Sequence, residues 1–420
     1  VARFPTVATQ TTAGLQIQWC NIQKPQNHRP RRFRFGIDAL LDRPPGWLRT
    51  ARIGLVCHPA SVDSQLVHSA DRLHGAIGRR LVALFGPQHG ARGEKQDNMV
   101  ESADYRDRQL ELPVFSLYGQ FREPTREMTR GIDVLLIDLQ DVGTRVYTFV
   151  STMVACLRAA ARFGFRVVVL DRPNPIGGVV IEGHGLDSAF RSFVGELSIP
   201  MRHGMTMGEL SRWAKSELAL DCELDVVPMA GWHRRDLWSD LGVEWIAPSP
   251  NMPSPATALV YPGAVLFEGT NVSEGRGTTR PFEVIGAPFI DPYQLCAFAN
   301  RHRLPGTLLR PLYFEPTFHK WSGQTCGGVQ IHVMDPRRFL PYRTTIVLLS
   351  SIARLWPNDF AWRDPPYEYE SVRMPIDIIT GSDRVRTGIS SGEPVARVLG
   401  GVAPQVARFA TRRREFLLYQ

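Results

Sequence analysis

From Phe35 onward the hydrophobic positions fall into short apolar runs, set apart by polar loops and by stretches of helical period. Arg52–Cys57 (RIGLVC), Leu81–Phe85 (LVALF), Val114–Leu117, Ile132–Ile137 and Arg166–Leu170 (RVVVL) are rich in β-branched residues and leucine. They are too short for helices and read as strands covered on both faces. Helical patterns lie between several of them, most clearly Thr148–Phe163 with its alanine-rich face. Strand and helix in alternation predict an α/β fold with a doubly wound sheet.

The segment after each run is polar and punctuated by Gly and Pro. The first run gives way to His58-Pro59, the second to Gly86-Pro87-Gln88-His89-Gly90, and the third to Tyr118-Gly119. The fourth leads into Asp138–Asp141 and the fifth into Asp171-Arg172-Pro173-Asn174-Pro175. Loops that leave a parallel sheet at the carboxyl ends of its strands converge on a binding cleft. Further along, His203–Thr206 opens a helix over Met207–Leu218, and Pro248–Pro255 (PSPNMPSP) reads as extended. The segment Glu268–Thr279 (EGTNVSEGRGTT) carries almost no apolar side chain and is expected to stay out of the core. After Ile290 the pattern turns α+β: a helix at Pro292–His302, strands near Leu309–Phe314 and Gly328–Val333, and helices near Thr344–Trp356 and Pro394–Ala410. The expected organisation is an N-terminal tail over 1–35, disordered or translated from a start placed too far upstream, then domains over 36–255 and 256–420.

Composition narrows the function. The net charge of +8 sits largely in the clusters Arg29–Arg34 and Arg408–Arg414, not along one stripe. With no zinc-finger or recognition-helix signature, no nucleic-acid partner is expected. No uninterrupted apolar run reaches the ~18 residues of a membrane span. The six cysteines are dispersed without a C-x-x-C, and Cys156 and Cys296 read as small buried thiols. No G-x-G-x-x-G follows a strand, and P-loop and G-x-S-x-G motifs are absent. That disfavours a dinucleotide cofactor, a nucleotide, or a hydrolase serine. His58, His89 and His203 lack the spacing of metal ligands, so no metal and no cofactor is expected.

Hydroxyls, amides, carboxylates and arginines around a sheet edge suit a sugar. Glycoside hydrolysis asks for two carboxyl groups, one protonated and one ionised. Asp138, Asp141, Asp171, Glu101, Glu182, Glu268 and Glu274 are the candidates. Each has a structural alternative: a helix cap, or an ion pair with a nearby arginine.

In order along the chain, GPQHG, LPVFSLYG, IDVLLIDLQDVGTRVYTF, LDRPNPIGG, SFVGELSIPMRHGMTMGEL, PSPNMP and EGTNVSEGRGTTRPFE resemble the motifs of the exo-β-N-acetylmuramidase family. The resemblance runs from about Phe35 to the C-terminus. It implies a Rossmann-like domain, a smaller C-terminal auxiliary domain and a cleft between them. It also implies removal of N-acetylmuramic acid from the non-reducing end of peptidoglycan fragments by a monomer or homodimer. The resemblance implies a periplasmic or secreted protein, with the cytoplasm as the second reading because no signal-peptide pattern is visible. The family's tyrosine carries over as Tyr147, but its glutamate position holds Gln88. An amide cannot donate a proton as a carboxylic acid does.

Three accounts of that substitution stand side by side. Glu101, Asp138 or Asp141 supplies the acid; or the substrate's own acetamido group attacks while Gln88 or Tyr147 orients it; or the protein binds muropeptides without cleaving them. A sugar-nucleotide-dependent transferase would need a diphosphate site that the sequence lacks. The expected sugar-binding residues are His89, Arg145, Arg172, Asn174, His203, Asn251, Asn271, Glu274 and Arg276. Arg145, Arg172, Arg202 and Arg276 are the candidates for the lactyl carboxylate, because guanidinium pairs with it bidentately.

Overall fold

The computed structural model describes residues 33–93 and 101–420, and 33–420 form one compact unit. The tail expected over 1–35 lies, up to residue 32, outside the described residues; Phe33 and Phe35 are buried, and Arg34 bridges to Ala230.

The main sheet contains β1 (Ile53–Val56), β2 (Leu81–Gly86), β3 (Tyr105–Arg106), β4 (Pro113–Ser116), β5 (Val134–Ile137), β6 (Arg166–Leu170) and β7 (Leu224–Val227). Its order is β3-β4-β2-β1-β5-β6-β7, parallel throughout except for β3. The chain winds outward from β1 through β2 to β4, then returns to the other side of β1 with β5. That reversal between β1 and β5 is the switch point where an open α/β sheet leaves a crevice at its carboxyl edge. Both strands are buried at every position, as a central strand with helices on both faces must be.

Helices α1 (Gly36–Asp42), α2 (Ser69–Ile77), α3 (Phe149–Phe163) and α4 (Met207–Glu217) accompany the sheet. Helix α3 buries eleven of its fifteen residues and ends at Gly164, whose φ of 79° suits only glycine without strain. Helix α4 starts in a capping box: Thr206 Oγ1 accepts from Glu209 N at 3.3 Å, and Thr206 N donates to Glu209 Oε2 at 3.0 Å.

Helix α5 (Pro255–Ala264) leads into the second half, capped by Ser254 Oγ accepting from Thr257 N at 3.2 Å. There β8 (Val284–Ala287), β9 (Thr307–Phe314) and β10 (Cys326–Val333) form an antiparallel sheet in the order β8-β10-β9. Helices α6 (Pro292–Ala299) and α5 pack on this sheet, α7 (Pro341–Leu355) packs on α5 and α6, and α8 (Pro375–Thr380) lies against the turn at Val265–Gly269. The helix expected over 394–410 is broken in two, Val395–Val398 and Val402–Arg412, at Gly400-Gly401. Among the described residues the five cysteines are free and buried. Among the described residues no helix is long and apolar enough to cross a membrane.

The glycine-rich segment 268–279 departs from expectation, because Glu268, Thr270, Ser273, Glu274 and Arg276 are all buried. Charge pairing makes this tolerable. Glu274 meets Lys320 Nζ at 2.8 Å, Arg276 Nε at 3.2 Å and His319 at 3.4 Å, and Glu268 accepts from Arg276 Nη2 at 2.7 Å. A polar segment can enter a core when its charges enter as partners.

Candidate active site

The crevice at the switch point holds a tight pocket with a free volume of about 40 Å³. Gln88 and His89 reach it from the loop after β2; Tyr147, Thr148 and Phe149 come from the turn into α3. Ser249 and Asn251 arrive from the Pro-rich segment, and Tyr261 from α5. Glu268, Arg276 and Phe282 close one side, and Tyr367 and Glu368 the other.

Gln88 is held at both ends. Thr148 Oγ1 donates to its Oε1 at 2.7 Å, and its own Nε2 donates to Glu368 Oε1 at 3.2 Å. The other oxygen of Glu368 accepts from Tyr118 OH at 2.7 Å. Burial raises the Glu368 carboxyl above its ordinary value, the Tyr118 and Gln88 bonds oppose this, and the nearby Glu268 adds to it. Tyr147 packs edge-on against Phe149 (4.8 Å between centroids) and Tyr261 (6.0 Å). Burial pushes its phenol well up, with Ser249 only partly offsetting this, so Tyr147 enters the pocket as a neutral hydroxyl.

Arg276 stands between Glu268 and Glu274. Burial works against its charge, but the two carboxylates outweigh it and hold the guanidinium above its usual value. Its Nη1 has no hydrogen-bond partner among the described residues, and neither does Asn251 Nδ2. Buried donors of that kind are costly unless a ligand meets them. Glu268 Oε2 accepts from the Tyr367 hydroxyl, so this carboxylate is occupied on both oxygens. Glu274 lies behind Arg276; burial alone would raise it, but Lys320, Arg276 and His319 bring it down to about 2.

Of the residues expected from sequence, the pocket therefore brings together Gln88, His89, Tyr147, Asn251, Glu268 and Arg276. The others sit elsewhere for identifiable reasons. Asp138 is paired with Arg172 (Nη2 to Oδ2 at 3.0 Å), both fully buried, and Arg172 also donates to Val62 O at 2.7 Å. Asp141 accepts from Gly143 N at 2.7 Å and faces His203 Nε2 at 3.4 Å, which fixes the loop after β5. Glu101 is exposed. Arg145 donates to the carbonyls of His184, Ile199 and Ile379, and Arg202 to those of Phe339 and Ile176. Asn174 donates to Met205 O at 3.0 Å and His203 accepts from Met205 N at 3.1 Å. Asn271 spends its amide on Asp359 O and Ala361 N. Asp171 accepts from Thr206 and Gly208 at the start of α4, and burial raises it to about 6. Glu182 accepts from the backbone of Tyr342 and Arg343, and burial raises it to about 7.

Glu368 carries no motif in the sequence, and Tyr118 appears there only as a loop residue after the third apolar run. Glu368 sits in a Tyr-Glu-Tyr-Glu stretch (367–370) with no recognised spacing, 280 residues from the amide it touches. The only local sign is a tight turn written without Gly, Asn or Asp.

Residues 53–256 match the family described as exo-beta-N-acetylmuramidase NamZ, N-terminal, and residues 259–419 match its C-terminal counterpart. The chain is 41% identical over 396 residues to the peptidoglycan beta-N-acetylmuramidase NamZ of Bacillus subtilis strain 168, covering 94% of each chain. Among solved structures it is similar to a DUF1343 family protein from Bacteroides fragilis NCTC 9343 (TM-score 0.84, 33% identity, 93% of this chain and 99% of that one). A second protein of that family and strain gives a TM-score of 0.71 at 27% identity, covering 92% of this chain and 99% of that one.

Proposed function

Because the chain belongs to the exo-beta-N-acetylmuramidase NamZ family, we propose that it is a glycoside hydrolase releasing terminal β-linked N-acetylmuramic acid from the non-reducing end of peptidoglycan fragments. The observation that carries this is a pocket at the sheet's switch point with unmatched buried donors, Arg276 Nη1 and Asn251 Nδ2. A lactyl carboxylate suits the guanidinium, and the acetamido or ring hydroxyls suit the amide. Tyr147 donates a hydrogen bond toward the reacting end of the sugar, and His89 lines the same wall. The pocket is tight and walled on several sides, which suits the end of a sugar chain better than an internal unit.

The test is release of 4-nitrophenol from its β-N-acetylmuraminide, alongside the β-N-acetylglucosaminide. Turnover of the muraminide with little of the glucosaminide is expected, because only the former carries the carboxylate for Arg276. Tight binding of N-acetylmuramic acid without turnover would make the protein a muropeptide binder instead.

A further inference from the structure

Glu368 occupies a backbone position that its residue type should avoid. Tyr367 and Glu370 exchange both main-chain bonds, at 2.8 and 2.9 Å, around a two-residue turn. The central residues, Glu368 and Tyr369, have φ of 44° and 67°. Hairpin turns with positive φ at both central positions select Asn-Gly or Asp-Gly, since other side chains are strained there. A left-handed non-glycine residue is strained, and such strain gathers at functional sites.

Both side chains of this turn are put to use. Tyr369 faces outward, packed on Tyr118 and Phe193, with the Arg122 guanidinium 4.1 Å from its ring centre. Glu368 turns inward and bonds Gln88 and Tyr118, and it lines two spaces at once. One is the tight pocket; the other is an open groove of about 640 Å³, whose walls include Phe121, Arg122 and Arg373. A carboxyl in the wall between a terminal-sugar pocket and an open groove stands where a scissile bond between the two would pass.

We propose that Glu368 is the catalytic acid of this site, protonating the glycosidic oxygen while the remainder of the substrate lies in the groove outside. The proposal rests on the hydrolase reading above. The protonated carboxyl gives its proton to the glycosidic oxygen. The C1–O bond breaks, its electron pair stays on that oxygen, and the aglycone leaves as an alcohol. The sugar is left as an oxocarbenium ion beside the Glu368 carboxylate. A water entering from the vacated groove adds to C1 and passes its surplus proton to that carboxylate, which restores the acid; one water is consumed per bond. Tyr118, Gln88, Glu268, Arg276 and the buried phenols of Tyr261 and Tyr367 face Glu368. Tyr118 and Gln88 bond it, Glu268 favours its protonated form, and Arg276 favours its ionised form. Glu268 is already committed to Arg276 and Tyr367, which leaves Glu368 the pocket carboxyl without a cationic partner at bonding distance among the described residues.

The experiment compares Glu368→Gln on two substrates by kcat/KM, which reports bond cleavage. One is a disaccharide with terminal β-linked N-acetylmuramic acid; the other is the 4-nitrophenyl muraminide. A sugar alkoxide needs a proton to leave, whereas nitrophenolate does not. Loss of about 10²–10⁴-fold on the disaccharide, with a loss on the nitrophenyl substrate at least about tenfold smaller, is expected; equal losses on both overturn the assignment. Should that variant not fold, Tyr118→Phe decides. Its hydroxyl favours ionised Glu368, so its removal keeps the acid protonated to higher pH and moves the alkaline limb of kcat/KM upward. An unmoved limb overturns the proposal. A wild-type protein inactive on both substrates sinks the hydrolase reading itself, whereas an active one with equal losses sinks this assignment alone.

Discussion

Asp138 is the residue on which the sequence and the structure disagree most usefully, and Asp138→Asn separates the two views. If the carboxylate were an acid or base, its amide would fold normally and turn over slowly. The geometry says the reverse. Both side chains of the Asp138–Arg172 pair are 1% exposed, and the carboxylate also accepts from Ser69 Oγ. At 3.0 Å the pair's Coulomb attraction is about 5.5 kcal/mol for an effective dielectric of about 20. Removing one partner of such a pair leaves an uncompensated buried charge and costs about 3–5 kcal/mol. Asparagine offers one acceptor oxygen where aspartate offered two, so its NH₂ would also abut a donor. Urea unfolding should therefore show a loss of about 3–5 kcal/mol, while kcat per folded molecule at low temperature stays within about twofold of wild type. A variant of wild-type stability with turnover down about a hundredfold would refute this reasoning and return Asp138 to the chemistry.

The site and its surroundings lead to two other outcomes. Tyr147→Phe should lose at least about tenfold in kcat, about 1.4 kcal/mol of barrier, in steady-state assays on the muraminide; an unchanged rate removes its hydroxyl from the reaction. Burial raises Glu182 from 4.5 to about 7, so between those values the folded protein holds a proton that the unfolded chain has released. Stability contributed by this group is therefore present at low pH and lost as pH rises through about 7. Glu182→Gln should flatten that part of the stability–pH curve, and an unaltered slope by urea titration would contradict it.

The architecture of the first half was legible because its strands are uniformly apolar. The run Arg166–Leu170 coincides with β6, and Ile132–Ile137 contains β5. β7 was missed because Leu224–Val227 is a half-buried edge strand carrying Asp225, which breaks the apolar signature. β8 was missed because four residues, one of them glycine, are too few to show a period. Gln88, His89, Tyr147, Asn251 and Arg276, which the motifs single out, line the pocket. Their motif neighbours Arg145, Asn174 and His203 were grouped with them, although they hold backbone in place. Sequence cannot tell a polar residue that binds substrate from one that binds a carbonyl, since both need the same chemistry. Glu368 is the opposite case: its role comes from a contact across 280 residues and from a turn conformation, neither of which leaves a local pattern.

The pocket draws on residues from 88 to 368, and the contribution that closes it comes from the Tyr367–Glu370 turn near the end of the chain. During synthesis the sheet, Gln88 and Tyr147 emerge from the ribosome long before Arg276, and Glu368 emerges later still. The sheet itself leans on late residues as well, since Tyr419 OH donates to Asp171 Oδ2 and Leu418 N to Glu209 Oε1. Competence arrives only once the Tyr367–Glu370 turn has been made, and a premature stop before it leaves the pocket without one of its walls.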